Sequence, residues 1–349
     1  MAAPFSRRVS STCSSLRFRT GCLKPRLTRI IQLLVPKAGE YSTQSKEFNG
    51  AETHFGFQSV AEDEKENKVY EVFENVASKY DMMNDAMSGG VHRIWKDIFL
   101  ERFAPSPGTK LLDVAGGTGD IAFRFLKYVD APAHISTQQD FGIPKDAASR
   151  VLKKICRQRH HHLMMKVQRS SQNHRLDTPV LPDDDSSHVI VCDINQAMLD
   201  VGRQRAKQLG FTSGISWLQA NAENLPLPDN LFDAYTIAFG IRNCTHVQKV
   251  LDEAYRLLKP GGRFLCLEFS EVKNPLLRSI YDSYSFQVIP VMGQLIAGDW
   301  KSYQYLVESI RQFPNQEDFA AMIRAAGFRM VSYENLTFGV TAIHSGFKI

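Results

Sequence analysis

Leu112-Asp113-Val114-Ala115-Gly116-Gly117-Thr118-Gly119-Asp120 decides how the rest of the chain reads. The stretch completes a short apolar strand, Lys110–Val114, and opens a helical run over 121–128. Glycines at such a joint let the backbone approach a ligand closely, and the helix N-terminus offers free N–H groups. Alone, the loop is ambiguous. Gly117-Thr118-Gly119-Asp120-Ile121-Ala122 also satisfies the GxGxxA dinucleotide fingerprint, and a plain tight turn fits as well.

Downstream, strands and helices alternate. Strands are expected over 189–192, 215–218, 232–239 and 263–269, and helices over 196–209 and 247–258, the latter stopped by Lys259-Pro260-Gly261-Gly262. Such alternation predicts a mostly parallel sheet with helices on both faces. After a helix over 315–326, strands over 328–336 and 340–347 have only Thr337, Phe338 and Gly339 between them. A joint that short forces an antiparallel hairpin, because a parallel pair needs a crossover of about a dozen residues. The expected fold class is therefore α/β, a mostly parallel seven-stranded sheet closed by a C-terminal antiparallel hairpin. Upstream, 62–103 reads as helical with a break at Ser88-Gly89-Gly90, and Val69, Val72, Phe73 and Val76 share one helix face.

Three polar positions at successive strand ends narrow the loop's meaning. Asp113 ends the first strand, where an acid suits the cationic amino end of a methionine moiety and repels a pyrophosphate. Asp193 ends the second, where a carboxylate hydrogen-bonds ribose hydroxyls. Asn221-Ala222-Glu223 follows the third, within reach of an adenine edge. Helix capping explains any one of them; it explains three on one sheet edge far less well.

The flanks carry other information. The chain has 42 Lys+Arg and 37 Asp+Glu among 349 residues. Six Arg and two Lys fall within residues 1–39, which hold no acid. Without those eight, acids slightly outnumber bases, so the basic balance belongs to the leader and argues against a nucleic-acid partner. This Arg- and Ser-rich, scattered-apolar leader, acid-free through residue 39, predicts a mitochondrial transit peptide over 1–45, followed by a polar linker over 46–61. Residues 130–187 hold His160-His161-His162, a basic run and Asp183-Asp184-Asp185 without apolar periodicity, and predict a largely disordered insertion. No metal is expected, since the His run lacks regularly spaced further ligands. Of the six cysteines, Cys13 and Cys22 would leave with the leader; Cys156, Cys192, Cys244 and Cys266 show no CxxC and are expected as reduced thiols.

Longer runs are more specific than the loop. They include Lys79-Tyr80-Asp81-Met82-Met83-Asn84-Asp85-Ala86-Met87-Ser88, His92-Arg93-Ile94-Trp95-Lys96, Thr236-Ile237-Ala238-Phe239-Gly240-Ile241-Arg242-Asn243 and Ser302-Tyr303-Gln304-Tyr305-Leu306-Val307-Glu308-Ser309-Ile310. With them the chain resembles class I S-adenosylmethionine methyltransferases of Rossmann-like fold, and specifically the quinone-biosynthesis C-methyltransferase family, over roughly 66–128 and 188–349. The resemblance implies a methyltransferase domain at 62–349 and S-adenosyl-L-methionine as cofactor. It implies carbon methylation of 2-methoxy-6-polyprenyl-1,4-benzoquinol in ubiquinone biosynthesis. It further implies a mitochondrial matrix enzyme, peripheral on the inner membrane, in a multiprotein complex with other ubiquinone-biosynthesis enzymes. The chain departs from the family pattern mainly in its long basic insertion, which bears on packing near Asp193.

Under this reading Asp113, Gly117, Thr118, Gly119, Asp193, Asn221 and Ala222 are the candidate cofactor residues. Arg242, Asn243 and Tyr80 are the candidate catalytic residues. Arg242 either stabilises a phenolate or orients a water, or else forms a structural ion pair. Asn243 either bonds a quinol oxygen or caps a helix; Tyr80 either lines the site or packs in a lid. His92 is a base by type, though a structural role suits it better. The apolar stretch 284–297 fits a tail tunnel, a membrane-resting surface, plain core or a homodimer face. Two rivals remain: an NAD-dependent oxidoreductase, which Asp113 and the hairpin disfavour, and a non-catalytic assembly subunit that keeps the fold.

Overall fold

Side chains alternate across a strand, so neighbouring apolar residues of these strands bury against opposite helix layers. The computed structural model describes residues 52–76, 80–130, 179, 181–182 and 184–349. In the first core strand, β3 (Lys110–Val114), Leu112 and Val114 face one core and Leu111 faces the other. In β4 (His188–Asp193), Ile190 and Cys192 take the first side, Val189 and Val191 the second. Strands buried on both faces show continuous apolar runs, which is how they appear in the sequence.

The remaining strands are β5 (Ile215–Gln219), β6 (Phe232–Ala238), β7 (Leu258–Phe269), β8 (Arg329–Leu336) and β9 (Thr341–Phe347). The sheet runs β5-β4-β3-β6-β7-β9-β8. Its first five strands are parallel, and β9 lies antiparallel to both β7 and β8. The expected fold class is thus observed. The chain leaves β3 towards β5, then returns to β6 on the other side of β3. That reversal opens a crevice at the carboxyl ends of β3, β4 and β6, where open α/β sheets seat ligands.

Helices α1 (Glu62–Val76), α2 (Tyr80–Ser88) and α3 (Val91–Phe103) precede the sheet. The expected break is present: Gly89 and Gly90 both have positive φ between α2 and α3. Next come α4 (Asp120–Asp130), α5 (Gln196–Leu209), α6 (Val247–Leu257), α7 (Pro275–Gln287), α8 (Trp300–Gln312) and α9 (Gln316–Ala325). Trp95 and Phe99 of α3 and Phe125 of α4 fill one core, while Val250 and Leu251 of α6 and Phe319 of α9 fill the other. A third cluster joins Met83 of α2 to Tyr303 and Val307 of α8 above the sheet edge.

Several expectations need correction. The stretch expected as linker carries a hairpin from residue 52 on, β1 (Glu52–Phe55) paired with β2 (Gln58–Ala61) across a positive-φ Gly56. Its short strands alternate too little to stand out in a polar sequence. Lys259-Pro260-Gly261-Gly262 stops the helix as expected, but β7 begins already at Leu258. Leu258 pairs with Phe232 and Arg263 with Ala234, so the Pro-Gly-Gly segment loops out as a bulge. The transit-peptide reading falls outside the described residues, as do 131–178, 180 and 183 of the insertion. The chain re-enters the fold at Asp184 and Ser186, whose carbonyls accept from Lys110 Nζ at 2.8 and 2.7 Å.

Candidate active site

The glycine loop owes its shape to clashes it avoids. A Cβ on Gly116 would sit 2.7 Å from Val191 Cγ1 and 2.8 Å from Asp113 Oδ2. Gly117, at φ 51°, donates its N–H to Asp193 Oδ2 at 2.9 Å. Ala115 takes φ 50°, where glycine would be unstrained, and Phe239 beside it takes φ 58°. Two strained non-glycine residues facing one crevice are typical of functional sites.

The crevice is a cavity of about 270 Å³. Asp113, Gly117, Thr118, Asp193, Asn221, Ala222, Arg242 and Asn243 all line it. Gly119 does not: its N–H donates to Gly116 O at 2.8 Å, and its bare face meets Phe123 and Trp217. It closes the turn. Thr118 lines the cavity while its hydroxyl accepts from Arg205 Nη1 at 3.2 Å. Tyr80 opens α2, but its side chain lies outside the described residues. Asn84, four residues on, lines the cavity. His92 also lines it and shares a hydrogen bond with Ser88 Oγ at 2.8 Å, in keeping with the structural reading.

The acids are perturbed as a ligand site requires. Asp113 is fully buried; Oδ1 accepts from Thr236 Oγ1 at 2.8 Å, and Oδ2 has no protein partner. Burial pushes its carboxyl up to about 7, against the pull of Thr236 and Lys96. Asp193 is pushed up to about 6, again by burial, while the N–H groups of Asn195 and Gly117 oppose the shift. An unpartnered carboxylate oxygen beside a glycine cradle fits a ligand with a cationic amino end.

Arg242 follows β6 on a single 3-10 turn, Ile241–Asn243. Its side chain is 5% exposed and pairs through Nη1 with Glu268, which is 1% exposed, at 3.0 Å. Nη1 also donates to Phe239 O, and Nε has no protein partner. The structural ion pair is therefore real, yet it leaves one edge of the guanidinium for a ligand. Burial raises the Glu268 carboxyl above its usual range despite Arg242. Sequence reading missed Glu268, although it falls near the end of β7 and the strand-end rule that singled out Asp113 and Asp193 applies to it equally.

Asn243 is placed by the neighbouring helix. Its Oδ1 accepts from Tyr305 Oη at 3.1 Å, and Tyr305 stacks on Phe55 of β1 with centroids 4.1 Å apart. The unexpected hairpin thus supports an active-site side chain. Phe55→Ala is expected to lower the unfolding free energy by about 1 kcal/mol and to raise KM for the methyl acceptor. Denaturant titration and steady-state kinetics check both, and unchanged values would detach the hairpin from the site.

Helix α1 covers the crevice with Val69, Val72 and Phe73. Polar ties hold it down. Lys65 Nζ donates to Cys244 O at 3.0 Å, and Asn195 Nδ2 donates to Tyr70 O at 3.1 Å. His246 bridges Glu223 of the cavity wall, at 2.7 Å, and Glu62 of α1, at 3.0 Å. Burial acts to raise the Glu223 carboxyl, but the N–H and ring of His246 outweigh it and hold the group below its usual range. Cys192, Cys244 and Cys266 are free thiols, as expected.

A strand-switch crevice with buried acids, a glycine cradle and a helical cover fits an S-adenosylmethionine-dependent methyltransferase. Residues 61–348 match the ubiE/COQ5 methyltransferase family, and the chain belongs to it. It is 54% identical over 354 residues to the Bos taurus protein called 2-methoxy-6-polyprenyl-1,4-benzoquinol methylase, mitochondrial, covering 100% of this chain and 99% of that one. The Gallus gallus protein of the same name is 57% identical over 300 residues, covering 86% and 90%. Among solved structures, a SAM-dependent methyltransferase of Thermotoga maritima is similar at 15% identity and a TM-score of 0.49, over 80% of this chain and 100% of that one.

Proposed function

We propose that this chain moves the S-adenosylmethionine methyl group onto a ring carbon of a 2-methoxy-6-polyprenyl-1,4-benzoquinol. The observation that carries the reading is a single cavity joining two kinds of wall. Asp113, Asp193 and Asn221 stand in its polar part, Met83, Ile289 and Leu306 in its apolar part, and Arg242 and Asn243 also line it. The relatives' names supply the acceptor.

When bound, S-adenosylmethionine supplies an electrophilic methyl group. Asp113 Oδ2 holds the amino end, Asp193 the ribose, and Asn221 and Ala222 the adenine. The acceptor ring must become electron-rich. Ionising a phenol of ordinary pKa at pH 7 costs about 4 kcal/mol. Arg242 keeps its proton and lowers that cost by stabilising the phenolate, directly or through a water. Asn243, fixed by Tyr305, holds a quinol oxygen. The cover of α1 excludes water and keeps the reactants in line.

We also infer a mitochondrial destination from the leader over 1–45, basic and acid-free through residue 39, and from the relatives' names. Among the described residues no helix is long and apolar enough to cross a membrane. The test is incubation with labelled S-adenosylmethionine and a short-tailed methoxybenzoquinol. Label on a ring carbon is the expected result; label on oxygen overturns the reading.

A further inference from the structure

A second cavity, about 260 Å³, adjoins the first. One wall is a single face of α7, where Leu277, Ile280, Tyr281 and Tyr284 follow the i, i+3, i+4, i+7 spacing. The opposite wall is the β8–β9 turn, with Phe338 and Val340. Tyr281, Tyr284 and Val340 line both cavities. Two polar groups nearby are already engaged. Tyr284 Oη donates to Met87 O at 2.6 Å, and Thr337 Oγ1 accepts from Trp95 Nε1 at 2.8 Å. What faces the groove is therefore hydrocarbon and aromatic surface. Of its lining residues, Ile280 is 60% exposed and Phe338 77%. Large apolar side chains grouped this openly on one rim need an explanation.

We infer that this groove is the seat of the acceptor's polyisoprenoid tail, which leaves the reaction cavity between Tyr281, Tyr284 and Val340. The inference rests on the proposed function for the identity of the acceptor. A tail attached to a ring in the first cavity must leave it, and an apolar chain lowers its free energy by staying out of water. The groove shares three residues with the reaction cavity, and its walls are apolar. The site falls on α7 and the β8–β9 turn, only partly overlapping the 284–297 stretch expected from sequence. Within that stretch Tyr284 and Ile289 line the reaction cavity, whereas Leu295 is exposed away from it.

Two measurements on the full chain test the groove. The first uses farnesol carrying a photoreactive group, a tail without a ring. Irradiation is expected to label peptides containing Leu277–Tyr284 or Phe338–Val340, and Ile280→Glu is expected to remove that label. Label elsewhere, or label indifferent to Ile280→Glu, overturns the inference. The second is the ratio of kcat/KM for a long-tailed to a tailless quinol. Ile280→Glu is expected to lower it on the order of tenfold, and Ile280→Leu to preserve it. Phe338→Glu is the second variant should Ile280→Glu melt early. An unchanged ratio overturns the groove and leaves the methylation reading standing. Groove labelling by farnesol in a chain that methylates no quinol sinks the methylation reading and keeps the groove as an isoprenoid site.

Discussion

An Arg242→Ala protein is expected to lose methyl transfer by about 10²–10³-fold and folding stability by about 3–5 kcal/mol. Both losses come from one side chain through different contacts. Stability falls because Glu268 stays behind, almost wholly buried, with only backbone N–H groups, that of Phe269 at 2.8 Å among them, to meet its charge. Removing one partner of a buried ion pair leaves an uncompensated charge, which costs far more than the pair contributes. The Glu268 carboxyl is already raised by burial, and without Arg242 it rises further. A folded-state pKa above the unfolded value means stability is fully present at low pH and is lost as pH rises through the folded pKa. The variant should therefore melt progressively earlier as pH rises above the ordinary glutamate range, while the parent changes less. Arg242→Ala combined with Glu268→Gln separates the two effects. The double variant is expected to regain most of the stability and none of the activity. Recovery of activity as well would reduce Arg242 to a structural ion pair. Arg242→Lys keeps the charge but not the planar fork, and should retain stability better than turnover.

Much of this arrangement is legible in the sequence, for a local reason. The loop after β3 and the acids near strand ends act through backbone geometry and strand direction, and both follow from residue type and spacing. Asp113, Gly117, Asp193 and Arg242 reach the cavity because parallel strands all deliver their carboxyl ends to one edge. At Gly119 the sequence says less, because a motif lists glycines without saying which face the ligand and which avoid a neighbour. Here the neighbours are Phe123 and Trp217, the latter far off in sequence. The hairpin of β1 and β2 was invisible for a similar reason. Its stability depends on Phe55 stacking against Tyr305, 250 positions later in the numbering, and on the Phe57 N–H donating to Glu308 Oε2 at 3.0 Å. Helices α7 and α8 escaped as well; Leu277, Ile280, Tyr281 and Tyr284 of α7 do keep helical spacing, but the sequence does not show that this stripe faces a groove and not a core.

Methyl-donor affinity is expected to climb steeply between pH 5.5 and 7 and to level off above. In the ligand-free chain Asp113 is pushed up to about 7 and Asp193 up to about 6, chiefly by burial. A donor whose amino end is cationic and whose ribose offers hydroxyl protons binds the ionised carboxylates best. Below pH 7 it must displace the proton from Asp113, so the apparent dissociation constant falls up to tenfold per pH unit for each proton released. Calorimetry at pH 6 in buffers of differing ionisation enthalpy should register that release. Asp113→Asn should abolish most of it and weaken binding at pH 7.5 by about 1.5–3 kcal/mol, the worth of a hydrogen bond to a charged group. The same shift acts on the fold with a definite sign. Between its unfolded pKa of 3.8 and about 7, Asp113 keeps its proton in the folded chain and loses it in the unfolded one. Stability of the ligand-free protein is therefore highest at the acid end of that window and declines as pH rises through 7. Bound donor should flatten the decline, because it keeps the carboxyl ionised in the folded chain as it already is in the unfolded one. Affinity that stays flat from pH 5.5 to 7.5, with no proton released, would remove Asp113 from the donor site.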